Sequence, residues 1–159
     1  MSAFRIRPAV EADVPLILQF IRDLAEYERL AHAVVATEES IRATLFGARP
    51  YAEVVILEDD AGAAGFALFF HSYSTFLGAP GIYLEDLYVR PEHRGKGYGR
   101  ALLAHLAKVA KARGCGRVEW AVLNWNDPAI GFYKSLGARP QDEWQVYRIT
   151  GPALDALAG

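Results

Sequence analysis

Apolar and polar positions change period several times along the chain, and each change marks an element. Residues 4–7 alternate and stop at Pro8, which predicts a first strand. From Asp13 onward, Val14, Ile17, Leu18, Ile21, Leu24 and Ala25 fall three or four positions apart, with Arg22, Asp23 and Glu26 between them. That spacing lays one apolar stripe along a helix ending near Arg29. Thr37 followed by Glu38 and Glu39 supplies an N-cap residue and two acids suited to the positive end of a helix, so a second helix is expected over residues 38–45, stopping at Gly47.

Residues 51–57 and 65–73 are rich in β-formers, and the turn-type spacer that begins at Glu58 joins them as a hairpin. Residues 82–89 form another strand, closed by Arg90 and Pro91. A glycine cluster follows, then a long helix with Leu102, Leu103, Leu106, Val109 and Ala110 on its buried face and Arg113-Gly114 at its end. Residues 117–123 are strand-like, 128–136 helix-like, and 145–149 are expected to close the sheet. The order β-α-α-β-β-β-α-β-α-β predicts an α/β protein whose mixed central sheet is flanked by helices. With no repeat, low-complexity stretch or linker, residues 1–159 are expected to form a single domain.

Composition narrows the function more than the fold. A net charge of -2 with the two signs interspersed gives no field that would gather nucleic acid. No apolar run reaches membrane-spanning length, and the N-terminus lacks the apolar core of a secretory signal, so a cytoplasmic protein is expected. Cys115 is the only cysteine, which excludes an intrachain disulfide and a cysteine-built zinc site. His32, His71, His93 and His105 show no short ligand spacing, so no metal is expected.

The informative chemistry lies at Arg94-Gly95-Lys96-Gly97-Tyr98-Gly99, between the strand ending at Val89 and the helix carrying Leu102. Glycines let the backbone turn tightly with its amides inward, and the following helix adds a positive dipole end, so the segment can grip a pyrophosphate. A flexible turn is the plainer alternative. The glycine spacing fits neither the dinucleotide-fold fingerprint nor the P-loop.

Strand, R-x-x-G-x-G and helix resemble the acetyl-CoA-binding motif of the GNAT superfamily of N-acetyltransferases. Further blocks resemble its spermidine/spermine acetyltransferase branch, with the thialysine acetyltransferase members nearest. These blocks are Ile6-Arg7-Pro8-Ala9 with Asp13, Leu24-Ala25-Glu26-Tyr27-Glu28, Tyr83-Leu84-Glu85-Asp86-Leu87-Tyr88-Val89, His93 before Arg94-Gly95, Trp125-Asn126, and Phe132-Tyr133-Lys134 with Gly137-Ala138. The likeness runs over nearly the whole chain and implies a GNAT fold using acetyl-CoA as co-substrate.

The resemblance also implies roles. The pantetheine arm would bond the strand backbone at Leu87, Tyr88 and Val89, and the pyrophosphate would meet Arg94, Gly95, Lys96, Gly97, Tyr98, Gly99 and Arg100. Asn126 matches a cofactor-contacting Asn, although an N-cap ahead of Asp127-Pro128 is its simpler role. Tyr133 matches the general acid that protonates the departing thiolate. On sequence alone it is one more aromatic on an amphipathic helix. Glu85 matches a residue that helps deprotonate the incoming amine through water. Its apolar neighbours point to burial, where a carboxylate needs a partner, a raised pKa or a function; a solvent-facing edge is the alternative. Asp86 would point to the opposite face and reads as structural.

Tyr27 and Glu28 match substrate-contacting positions. Asp142 or Glu143 lies near a third, and Trp144 could wall the pocket. Polyamine-acetylating members carry an acid and a tryptophan before the central strand, where this chain has Tyr73-Ser74-Thr75-Phe76, closer to the thialysine members. The acceptor implied is therefore a lysine-like small-molecule amine or a short diamine, attacked directly in a ternary complex. A polyamine, a protein or peptide amine, and an idle acyl-CoA-binding module remain open as alternatives. The family resemblance also implies a homodimer.

Overall fold

The computed structural model describes residues 3–159 and divides into two compact units, the first ending at Ala121 and the second spanning Val122–Gly159. In the first unit, β1 (Phe4–Pro8), β2 (Glu53–Asp59), β3 (Gly62–Ser74), β4 (Ala79–Val89) and β5 (Val118–Trp120) form one sheet in the order β1-β2-β3-β4-β5. Neighbours run antiparallel except for β4 and β5, which are parallel. A parallel pair needs a crossover, and α3 (Tyr98–Ala112) supplies it.

α1 (Val14–Tyr27) and α2 (Glu38–Leu45) precede β2 in the chain. Proline near the N-terminus of α1 sits where its missing N–H costs no helical hydrogen bond. Asp13 fixes that end: its carboxylate takes both Arg7 guanidinium nitrogens at 2.8 and 2.9 Å and the Val10 amide at 2.7 Å. The start of α1 is thereby tied to β1. Thr37 and Ser40 exchange side-chain and backbone hydrogen bonds across the first turn of α2, a capping box built from two hydroxyl residues.

The core explains the strand sequences. Val54, Val55, Ile56 and Leu57 are all buried, which a strand requires when both faces of its sheet are covered. Val54, Ile56, Phe66 and Tyr88 join Val14, Ile17, Leu18, Phe20 and Leu24 of α1 and Ile41 of α2 in one cluster. α3 packs on β3 and β4 through its own stripe of Leu102, Leu103, Leu106 and Ala110.

In the second unit, α4 (Asp127–Ser135) and α5 (Gly151–Ala158) are the regular elements. The expected closing strand over residues 145–149 does not form. Its β-rich composition favours extended backbone, but a strand exists only where an edge accepts its hydrogen bonds, and among the described residues this segment joins no ladder. Val146 and Tyr147 stand exposed there. The strand expected over residues 117–123 pairs only from Val118 to Trp120, because β4 bulges away beyond Leu84. α5 was not expected from the sequence, although five of its eight residues are alanine or leucine.

Phe20 is fully buried and stacks on Phe66 with ring centroids 5.0 Å apart. Phe20→Ala is expected to cost about 3–5 kcal/mol of unfolding free energy, and Phe20→Leu clearly less. Urea denaturation measures both, and a loss below about 1 kcal/mol for the alanine variant would contradict this account of the core.

Candidate active site

β4 carries one more residue than β3 can pair. Leu84 faces Phe69 and Asp86 faces Leu68, so Glu85 is left over as a β-bulge. On the other side, β5 follows β4 from Ile82 only to Leu84. From Asp86 to Val89, β4 therefore has among the described residues a ladder partner in β3 alone, and its second edge is available to an extended ligand. Leu87, Tyr88 and Val89 lie on this stretch. The Val89 carbonyl accepts the Arg94 side-chain Nε at 3.0 Å.

Just beyond β4 comes the glycine-rich loop. Gly95 and Gly97 both adopt φ of 80°, which L-residues with side chains avoid, and Gly97 is the N-cap of α3 without a side chain to cap it. Gly99 has no such backbone excuse, and a Cβ built there meets nothing within 4 Å. Glycine in a first helical turn lowers stability, so a bare, uncrowded surface at Gly99 fits a group that must approach the backbone closely. Lys96 and Arg100 are exposed on the same segment. The residues present thus suit the diphosphate of coenzyme A: backbone amides at a helix N-terminus, glycines where bulk would intrude, and cations at the margin.

Arg94 does not extend into solvent as a free cation. Its guanidinium lies 5.3 Å from the ring centroid of Tyr27 and 5.6 Å from that of Tyr88. Tyr27 is the last residue of α1 and Glu28 its C-cap. Arg29 takes the left-handed conformation at φ 63°, and the Leu30 amide reaches back to the Ala25 carbonyl at 2.8 Å. This termination fixes Tyr27 and Glu28 at the end of the helix.

Three carboxylates gather around the bulge. Burial, and then the charge of Glu85, raises the pKa of Glu28. Asp86 is pushed up to about 6, first by burial and then by the charges of Glu85 and Glu28. Glu85 is exposed, against the expectation of burial drawn from its apolar neighbours, because as the bulged residue it leaves the regular alternation. Asp86, read from the sequence as structural, shares its electrostatic field with Glu85 and Glu28. The signal for that in the sequence was the adjacency of two acids in an otherwise apolar strand.

In the second unit, Asn126 is buried and caps α4 through Oδ1, which accepts the Ala129 amide at 3.4 Å. Tyr133 is half-buried on α4, its ring 5.7 Å from that of Phe132. Asp142, Glu143 and Trp144 lie in an exposed irregular segment. At the β3–β4 turn, Ser74 Oγ accepts the Leu77 amide at 3.1 Å and a guanidinium N–H of Arg117, so a cation occupies this turn. Phe76 is exposed beside it.

A bulged strand opening onto an uncapped glycine-rich helix N-terminus, with acids on one side, is the arrangement of an acyl-CoA-dependent transferase. The chain belongs to the acetyltransferase (GNAT) family, whose model matches residues 18–138. It is 41% identical to a thialysine N-epsilon-acetyltransferase of Sus scrofa over 170 aligned positions, covering 100% of this chain and 99% of the relative. It is 37% identical to an L-ornithine N5-acetyltransferase of Arabidopsis thaliana, covering 96% of this chain and 87% of that one. Among solved structures, an integron cassette protein from the mobile metagenome of V. cholerae superposes with a TM-score of 0.82 at 29% identity, over 99% of this chain and 98% of the other. The mixed five-stranded sheet is the GNAT fold, and the protein is an acetyl-CoA-dependent N-acetyltransferase.

Asp86 offers a test of the carboxylate cluster. Its ordinary value is 3.8 and its value in the fold is about 6. Between these, the folded protein keeps a proton that the unfolded chain has released, so stability falls as pH rises through that window and the cost persists above it. Asp86→Asn is neutral in both states and is expected to melt higher than wild type at neutral pH, with a flatter pH dependence below pH 6. Thermal denaturation at stepped pH measures this; identical melting temperatures at pH 7 would dissolve the cluster.

Proposed function

We propose that this enzyme transfers the acetyl group of acetyl-CoA to the terminal primary amine of a lysine-like small molecule or a short diamine, by direct attack in a ternary complex. The observation that carries the reading is the trio of Glu28, Glu85 and Asp86 beside the unpaired edge of β4. An alkyl ammonium has a pKa of about 10.4 and cannot attack a thioester until it loses a proton. Carboxylates at the acceptor end attract that ammonium, and Glu85 relays its proton away through water.

The β4 backbone at Leu87, Tyr88 and Val89 aligns the pantetheine arm, while residues 94–100 hold the diphosphate. Asn126, which caps α4 through its oxygen, also contacts the cofactor. Tyr133 donates its phenolic proton to the departing thiolate, which balances the proton removed from the amine. Tyr27 packs against the acceptor beside Glu28, and Asp142 and Trp144 border the same substrate. The chain acts as a single catalytic domain, in a cytoplasmic homodimer that takes no metal and binds neither nucleic acid nor membrane. No helix among the described residues is long and apolar enough to cross a bilayer.

Two features favour a lysine-like acceptor over a long polyamine. The relatives named above act on thialysine and L-ornithine, each an amino acid with a terminal amine. In this chain, moreover, the residue at the β3–β4 turn is Ser74, whose hydroxyl accepts from an Arg117 already paired with Glu119 at 3.7 Å, so a distal ammonium finds no unpaired acid in that group. Exposed charge pairs contribute roughly 0.2–1 kcal/mol, which yields a preference and not an exclusion.

Thialysine, L-ornithine, putrescine and spermine, each supplied with acetyl-CoA and followed by thiol release, test the acceptor. Catalytic efficiency is expected to be highest for the lysine analogues, intermediate for the diamine and lowest for spermine. Spermine as the best substrate by a wide margin would overturn the assignment, and turnover with none of the four would favour a module that only binds acyl-CoA. For the proton donor, Tyr133→Phe should lower kcat on the order of 100-fold to 10,000-fold while leaving acetyl-CoA affinity nearly unchanged. Wild-type kcat in that variant would remove Tyr133 from the mechanism.

A further inference from the structure

Outside the acetyl-transfer residues, one buried carboxylate gathers partners from an unexpected distance along the chain. Asp59 ends β2, and its side chain is 4% exposed. Oδ1 accepts the Ala61 amide at 2.8 Å and so shapes the turn into β3. Oδ2 serves the glycine-rich loop. It accepts the Tyr98 hydroxyl at 2.8 Å, lies 3.1 Å from His93 Nδ1, and has Lys96 Nζ at 3.6 Å. His93 is the residue before the loop and Tyr98 the first residue of α3, and both are buried.

Between these two anchors the loop contains Gly95 and Gly97, both at positive φ. Glycine gives the backbone many conformations of similar energy, so the direction of the loop amides is set by what holds its two ends. Packing adds to the hold at Tyr98, whose ring lies 5.4 Å from Phe4 and 6.3 Å from His93. The Tyr98 hydroxyl, opposing the effect of burial, keeps the Asp59 carboxyl below the usual carboxylate range.

We propose that Asp59 is a positioning residue for acetyl-CoA: by bonding His93 and Tyr98 at once, it holds both ends of the loop so that the amides of residues 95–100 are arranged before the diphosphate arrives. Asp59 touches neither substrate. A binding surface organised in advance spares the ligand the cost of ordering it, so losing the anchor weakens binding of the diphosphate portion alone. The inference rests on the reading of this loop as the diphosphate cradle.

Asp59→Asn removes the charge but keeps an acceptor, and Tyr98→Phe removes one hydrogen bond while keeping the buried ring. Both are compared with wild type by calorimetry using coenzyme A, and by displacement of coenzyme A with pantetheine, which lacks the diphosphate. Thermal melts of all variants, with Glu53→Gln at the opposite end of β2 as a control, report folding. Coenzyme A affinity is expected to fall on the order of 10-fold in both variants, with pantetheine affinity unchanged. Equal weakening of both ligands, or coenzyme A affinity within twofold of wild type in a folded variant, overturns the proposal. If Asp59→Asn does not fold, Tyr98→Phe decides alone by the same criteria. Gly97→Val separates the underlying reading: if it too leaves coenzyme A binding unchanged, the loop is not the cradle, whereas if it weakens binding and the anchor variants do not, only the role of Asp59 is lost.

Discussion

Glu85 has no opposite number on β3. With Leu84 paired to Phe69 and Asp86 to Leu68, the strand must accommodate one residue outside the ladder, and it does so by bending. The pairing of β4 with β5 ends at Leu84, and among the described residues the stretch from Asp86 to Val89 pairs with β3 on one edge and with no strand on the other. The bulge also sets two successive acids near Glu28 at the end of α1. An unbroken β4 would have continued its ladder and hidden the edge that an extended thioester needs. The register of a single residue therefore bears on both the open edge of β4 and the grouping of the three acids.

The two ends of this open stretch differ in electrical character. Toward Val89 the chain offers backbone amides, Lys96 and Arg100, a surface for anions. Toward Glu85 it offers Asp86, raised well above its ordinary value first by burial and then by the charges of Glu85 and Glu28. A cation arriving there relieves the part of that shift that comes from the neighbouring charges.

Local signals in the sequence were read correctly where the structure is itself local. The 38–45 helix begins at its threonine cap, and the apolar stripe of α1 faces the core. Even there the stripe was drawn through Ile21, whereas the fully buried residue is Phe20, because the sheet determines which flank of a helix is covered. The bulge was invisible, since it is a relation between two strands and has no signature in either alone. Asp59 read as one turn acid among Glu58, Asp59 and Asp60, and its partners lie 34 and 39 residues further on. Conversely, residues 145–149 looked like a strand because β-propensity describes the chain and not the edge it must join. The glycine loop was legible as shape for the opposite reason: Gly95 and Gly97 both take positive φ, and glycine spacing is a direct record of backbone shape.

Arg94 gives the protein a shared mechanical part. One guanidinium rests on Tyr27, which ends the helix beside Glu28, and on Tyr88 of the cofactor strand, while its Nε holds the Val89 carbonyl. A ligand that draws Arg94 toward a phosphate withdraws the support beneath Tyr27, and one that settles on Tyr27 changes the freedom of Arg94. Thermodynamic linkage makes such an exchange symmetric: whatever the first substrate adds to or subtracts from the affinity of the second, the second returns in equal measure. Arg94 is placed to couple a ligand at residues 94–100 with one at Tyr27.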